Sequence, residues 1–168
     1  MDPKVRNLIN EQIAHEFYAS YLYLAMAAHF EEQNLEGFAQ WMRMQSDEED
    51  EHAMKLFDYL VERGERIELG AIDEPPVEFG SPVDAFRAAL EHEKKVTGLI
   101  NDIYEAAVDA KDYPTQVMLQ WFIEEQVEEE DVTGTAVERL EMAGDSNAAI
   151  MFLDAEFGKR TTAGHEHD

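Results

Sequence analysis

Cysteine is absent from the 168 residues. Disulfides, iron–sulfur clusters and thiol nucleophiles are therefore excluded. Basic residues are scarce: 13 Lys and Arg stand against 38 Asp and Glu, a formal net charge of −25. Nucleic-acid binding needs a basic face that displaces counterions, and docking on an anionic membrane needs the same sign of charge. Neither nucleic acid nor a membrane is an expected partner. β-Branched residues are sparse and no segment alternates with a period of two, so strands are not expected. The longest stretch without Asp, Glu, Lys or Arg runs from Phe17 to Phe30, too short to span a bilayer. No apolar leader core follows Met1-Asp2-Pro3-Lys4, so the expected location is cytoplasmic.

Hydrophobic residues make up 45% of the chain, enough for a core, and the length suits a single domain. The acidity fits a cation-handling protein, adaptation to a salty cytoplasm such as a halophile's, or a surface that only confers solubility. At molar salt the Debye length shrinks to about 3 Å and self-repulsion becomes tolerable.

Four long segments carry helical periodicity. Asp2-Pro3 opens the first, which runs to about Gln33. The second starts after Asn34, read as a cap, and runs to about Arg63, with Gly64 as its stop. Ser81-Pro82 opens the third, to about Lys111. Asp112-Tyr113-Pro114 opens the fourth, to about Ala143, stopped by Gly144. A short fifth helix is expected over Ser146 to Phe157, closing a domain of residues 1–157, with residues 158–168 as a frayed tail.

Helices one and two are joined by a residue or two, as are three and four, so each pair is an antiparallel hairpin. Gly64 to Ser81 separates the pairs. A helix of about 28 residues is about 42 Å long, and a connection of that length can extend about 60 Å. It can travel the length of the bundle and start helix three parallel to helix two. The expected fold class is all-α: a four-helix bundle with one long crossover and a short fifth helix.

The core stripes are more telling. Written at spacings of three and four, they read Ile9, Ile13, Glu16, Ser20, Tyr23, Ala27, Phe30; Phe38, Met42, Gln45, Glu49, His52, Leu56, Tyr59; Phe86, Leu90, Glu93, Thr97, Ile100, Tyr104, Ala107; and Leu119, Phe122, Gln126, Glu129, Thr133, Ala136, Leu140. Each stripe is apolar at its ends and carries a carboxylate near its middle. A buried, unpaired carboxylate costs several kcal/mol or protonates, and no Lys or Arg occupies a stripe position. Bound cations are the simplest compensation, with His52 as a neutral imidazole ligand. Glu49 and His52 form Glu-x-x-His on one helix face, and Gln126 and Glu129 form the matching pair on helix four. This nearly reproduces the ligand pattern of di-iron carboxylate bundles. Mostly oxygen donors with one imidazole suit Fe(II) or Mn(II) better than zinc, and shared carboxylates can hold two metals about 3.5–4 Å apart.

At this point the chain resembles bacterial non-haem ferritin over essentially its whole length. The resemblance rests on Asn10-Glu11-Gln12 through Glu16-Phe17-Tyr18 into Tyr21-Leu22-Tyr23; Glu48-Glu49 with His52 and Leu56-Phe57-Asp58-Tyr59-Leu60; His92-Glu93; and Asp112-Tyr113-Pro114-Thr115 followed by Leu119-Gln120-Trp121 and Glu125-Gln126-Val127-Glu128-Glu129-Glu130. It implies a ferritin-like bundle and a ferroxidase that oxidises Fe(II) with O2 or H2O2. Glu16, Glu49 and His52 match the ligands of a first iron. Glu49, Glu93 and Glu129 match those of a second, with Glu49 bridging and Gln126 close by. Glu48, Glu125 and Glu128 match a third, outer iron site. Tyr23 matches a tyrosine beside the centre, an electron donor in that reading. The resemblance further implies a hollow 24-subunit shell storing ferric mineral, the fifth helix lining its fourfold axis.

Departures narrow the family. Bacterioferritin carries a second Glu-x-x-His where this chain has Gln126-x-x-Glu129, and a haem-ligating methionine where this chain has Asp50, so no haem is expected. Rubrerythrin needs cysteines. DNA-protecting ferritin relatives lack the fifth helix and build their site between subunits.

Other readings stay open. Glu48, Glu125 and Glu128 also read as solvated face. Tyr23 and Trp121 also read as core. Gln45, Ser20 and Thr97 read as hydrogen-bond partners of the ligands or as tolerated polar residues. Met26, Met42, Met44 and Met54 read as packing or subunit interface, Gly134 as a local weakening of helix four, and His165 and His167 as tail residues or a minor metal site. The competing functions are a ferritin-like di-iron oxidase or peroxidase without mineral storage, and a metal-free structural bundle.

Overall fold

The computed structural model describes residues 1–161. Its helices are α1 Pro3–Glu32, α2 Glu36–Glu62, α3 Pro82–Asp109, α4 Tyr113–Ala143 and α5 Asn147–Phe157, and no strand occurs among the described residues. Three long helices start as expected. The Asp2 side chain accepts from Lys4 N, Ser81 and Asp84 form a capping box, and Asp112 accepts from Thr115 N, each cap being followed by proline in the first turn. The start of α2 differs from expectation. Leu35 is its cap and makes no side-chain cap bond, while Asn34 takes φ +58° to turn the chain between hairpin arms. Gly64 follows the end of α2 at φ +67°, where a side chain would be strained.

Two apolar clusters fill the bundle, one toward each end. Val5, Ile9 and Ile13 of α1 meet Leu56 and Leu60 of α2, Ile100 and Ile103 of α3, and Leu119 and Phe122 of α4. At the other end Met26 and Phe30 meet Phe38 and Met42, Phe86, Leu140 and, from α5, Leu153 and Phe157. Early α1 therefore lies beside late α2, late α3 and early α4, the arrangement that a crossover running the length of the bundle requires. That crossover is tied down twice along α1. Asn10 donates to Arg66 O at 3.1 Å and accepts from Glu68 N at 2.7 Å. His29 Nε2 lies 2.9 Å from Gly80 O. The two anchors are separated by about 28 Å of helical rise.

The α3 stripe keeps Phe86, Glu93, Ile100 and Ala107 buried as expected and shifts by one position at its other three turns. Ala89, Val96 and Ile103 are buried, while Leu90, Thr97 and Tyr104 are half-buried. Met26, Met42 and Met44 are core, whereas Met54 is exposed. The chain beyond α5, expected to fray from Gly158, keeps Arg160 bonded to α2. His165 and His167 lie outside the described residues.

Candidate metal centre

Between the apolar clusters lies a polar layer with one carboxylate from each long helix. Glu16 and Glu93 are 0% exposed, Glu49 1% and Glu129 2%. Three sets of donor atoms each converge within 4.8 Å: Glu16, Glu49 and His52; Glu49, Glu93 and Glu129; and His52, Glu125 and Glu129. The first two sets are the two expected iron-ligand groups, and Glu49 belongs to both. The third places His52 and Glu129 beside Glu125, so the imidazole faces both sides of the centre. Its Nδ1 is 3.3 Å from Glu49 Oε2 and its Nε2 is 3.9 Å from Glu125 Oε1.

Neutral donors hold the carboxylates on one edge and leave the other edge open. Gln12 donates to Glu16 at 3.0 Å. Tyr23 OH donates to Glu93 Oε1 at 2.5 Å, and Gln126 Nε2 donates to Glu93 Oε2 at 3.2 Å. Gln45 Nε2 donates to Glu129 Oε2 at 2.8 Å. Glu16 Oε2, both Glu49 oxygens, Glu129 Oε1 and His52 Nδ1 are buried without a hydrogen-bond partner. Buried polar atoms are rarely left this way, and all five belong to residues of the converging donor sets.

The electrostatics agree. Burial first, and then the neighbouring Glu93 and Glu16, push the Glu49 carboxyl well above the usual range. Glu129 is raised by burial and by Glu93. Glu93 rises to about 7, chiefly by burial, against the opposing hydrogen bonds of Tyr23 and Gln126. Burial and the facing carboxylates raise the Tyr23 phenol, so it is neutral at ordinary pH. Without cations the layer must hold protons; with them it can ionise and coordinate.

The remaining expected residues are placed as follows. Gln126 touches Glu93 and Thr97 Oγ1, and Thr97 also donates to Glu130 at 2.8 Å. Ser20 pairs with Ser46 at 3.0 Å instead of a carboxylate of this layer. Of the outer trio, Glu125 joins a donor set, Glu48 is paired with Arg160 at 3.1 Å, and half-buried Glu128 belongs to none of the three sets. Trp121 stands against the His52 ring, and Lys55 Nζ lies 3.3 Å from the Trp121 ring centroid. Glu48, Glu51, His52, Lys55, Trp121 and Glu125 line an opening at the surface of the centre. Sequence reasoning missed Gln12, although it sits one turn before Glu16 on the same face. It also missed Arg160, which no helical pattern places.

Comparison with known proteins agrees with this geometry. The ferritin-like domain pattern matches residues 6–143. The chain is 41% identical over 157 residues to a bacterial non-heme ferritin of Bacteroides fragilis strain 638R, covering 94% of this chain and 98% of that protein. It is 37% identical over 153 residues to a bacterial non-heme ferritin of Staphylococcus aureus strain USA300, covering 91% and 92%. In three dimensions it is similar, at a TM-score of 0.94 and 45% identity, to an open pore ferritin of the hyperthermophilic archaeon Archaeoglobus fulgidus, over 96% of this chain and 99% of that one.

Proposed function

The chain belongs to the ferritin family, and from that premise we propose how its residues carry out iron oxidation and storage. The protein is a ferroxidase that stores iron. One observation carries the assignment to this centre: five buried donor atoms from α1, α2 and α4, all without partners, converge in the middle of one subunit. Glu16, Glu49 and His52 bind one Fe(II), and Glu49, Glu93 and Glu129 bind the other. The shared Glu49 keeps the two ions adjacent.

The chemistry follows from the pairing. Each Fe(II) gives up one electron. Two together reduce O2 with two protons to H2O2, or H2O2 with two protons to two waters, so no one-electron oxygen radical is released. The carboxylates bind Fe(III) more strongly than Fe(II) by charge alone, which favours the oxidised pair. Their raised proton affinities make ion entry a proton-for-metal exchange. Tyr23, hydrogen-bonded to Glu93, holds that carboxylate in place beside the second ion. Gln126 holds Glu93, and Glu129 stands where the histidine of a second Glu-x-x-His would be. Glu48, Glu125 and Glu128 form an outer, third iron site beside the pair. No haem belongs to this reading, because Asp50 stands at the position of the haem-ligating methionine of bacterioferritin and a carboxylate does not replace that thioether.

Storage needs a container. Exposed apolar side chains fall in groups: Tyr21, Leu24, Ile72 and Val77 on α1 and the crossover, and Met142, Met151 and Phe152 on α4 and α5. These are the faces to be covered when copies assemble, and a closed 24-subunit shell is the assembly we assign. No helix is long and apolar enough to cross a membrane among the described residues, and the cytoplasm, where Fe(II) is available, is the proposed location.

The test is a ferrous titration under air with particle size measured on the same sample. Wild type should oxidise two Fe(II) per chain in a fast phase and then build an electron-dense core in a particle of several hundred kilodaltons. Glu49→Ala and His52→Ala should each slow the fast phase by about a hundredfold or more without changing particle size. Unchanged rates in both variants would show that oxidation happens elsewhere.

A further inference from the structure

Arg160 follows α5 and turns back onto α2. Its guanidinium stands 4.6 Å from the Trp41 ring centroid. From one nitrogen, Nη2, it donates to Gln45 Oε1 at 2.5 Å and to both Glu48 oxygens at 3.1 and 3.3 Å. The other nitrogen, Nη1, is buried and has no partner. A guanidinium built only to hold a carboxylate uses its planar fork, two nitrogens on two oxygens. Here the contact is end-on through a single nitrogen. It supplies positive charge to Glu48 while spending only part of the donor set.

The contact reaches further than Glu48. By accepting from Arg160, Gln45 Oε1 fixes which way its amide faces. Its Nε2 then points at Glu129 Oε2, 2.8 Å away, and Glu129 Oε1 is the atom left open toward the metal centre. Arg160 therefore sets both the charge on the outer site and the orientation of an inner ligand.

The segment that delivers Arg160 is firmly seated. Asp154 Oδ1 accepts from Phe38 N at 2.9 Å. The Phe157 ring packs on Phe38 and Phe86 at 5.2 and 5.4 Å. Gly37 lies so close to α5 that a Cβ there would come 1.7 Å from Asp154 O.

We propose that Arg160 is the resident counter-cation of the outer acidic site, a positioning residue that a third metal ion must displace from Glu48, thereby releasing Gln45 and signalling to the α5 arm. This inference rests on the two-ion centre proposed above and adds a part that it lacks. While Arg160 is in place, Glu48 is neutralised and the inner pair fills first. When a third divalent ion arrives, its charge takes over that role, the guanidinium leaves Trp41, and Glu129 is free to rotate toward the outer site.

The probe is Zn(II), which is redox-silent, titrated into the metal-free assembled protein by calorimetry and by Trp emission. A Trp121→Phe background leaves Trp41 as the only indole, since the chain has two. In that background the first two ions should leave Trp41 emission unchanged and the third should shift it. Arg160→Gln should bind the third ion about tenfold more tightly, the order expected from removing one adjacent like charge at a partly buried site, and should lose the emission step. Arg160→Lys should restore both. A third-ion affinity within twofold of the parent's in Arg160→Gln, or a parent whose Trp41 emission ignores the third ion, overturns the role of Arg160 while leaving the pair intact. Failure of the parent to bind the first two ions would overturn the metal centre and this inference with it.

Discussion

A carboxyl group buried among other carboxyl groups resists folding unless a proton or a metal ion neutralises it. Glu93 shows the consequence for stability. Its folded proton affinity is raised to about 7, mainly by burial, against an unfolded value of about 4.3. For an acid raised in this way, folded and unfolded chains are both protonated below pH 4, and no penalty exists. As pH rises the unfolded chain ionises first, so the penalty grows from about pH 4 and is complete above about 7. In metal-free protein, Glu93→Gln should therefore come close to wild type near pH 4.5 and exceed it by about 3–4 kcal/mol at pH 8, read as a widening gap in Tm. Saturating Zn(II) should reverse the order at pH 8, because only wild type gains the ligand. At this scale the sequence was legible wherever helical spacing decides position. Glu16, Glu49, Glu93 and Glu129 all fall on core stripes, and all four are buried at one level. Residues whose role depends on contacts across the chain were not. Ser20 bonds Ser46, a pairing that two separate stripes do not reveal.

The elements divide by what holds them. The four long helices rest on caps, prolines and two apolar clusters, all local or periodic signals, and their ends fall within about two residues of expectation. The exception is instructive. Asn34 was a cap by composition, yet only residues 33–35 join α1 to α2, and the tight reversal needs a left-handed residue there more than it needs a side-chain acceptor. α5 rests on close approach, and spacing does not report distance. Its dependence on Gly37 can be tested directly. A Cβ at Gly37 meets the backbone of Asp154, which cannot swing aside as a flexible side chain would. Gly37→Ala should undock α5 at a cost of about 1–3 kcal/mol, raising hydrogen exchange over 147–157 and freeing the Trp41 ring from Arg160, while the exchange of α1 and α3 changes little. Gly98→Ala is the matched control. Its Cβ would meet nothing within 4 Å, and replacing glycine in a helix interior stabilises by about 0.5–1 kcal/mol. Equal effects of the two substitutions would mean that α5 is not held by this contact.

For the whole molecule the decisive quantity is charge. Each chain carries −25, and a 24-subunit shell would carry on the order of −600. Such a field draws Fe(II) toward the protein and concentrates it at acidic openings. It also pushes the subunits, and the acidic faces within each subunit, apart. The 13 Lys and Arg offset only part of it, and among the described residues Arg6 with Glu65, Arg63 with Asp112, Arg87 with Glu141 and Arg160 with Glu48 are pairs that join segments distant in sequence. The attraction and the repulsion are screened by the same ions, so salt should move them oppositely. Between 0.1 and 3 M KCl the Debye length falls from about 10 Å to under 3 Å. Repulsion between carboxylates that lack partners then fades, and Tm should rise by about 10 °C, the shift that a gain of about 3–4 kcal/mol produces in a domain of this size. The rate of Fe(II) capture at micromolar iron should fall over the same range. Sucrose at matched osmolality strengthens burial without screening charge, so it should reproduce little of the rise in Tm and none of the loss in rate. A protein whose acidity served solubility alone would show a flat Tm. A Tm that rises in KCl while capture still works at high salt is the combination that a cation-storing shell in a salty cytoplasm needs.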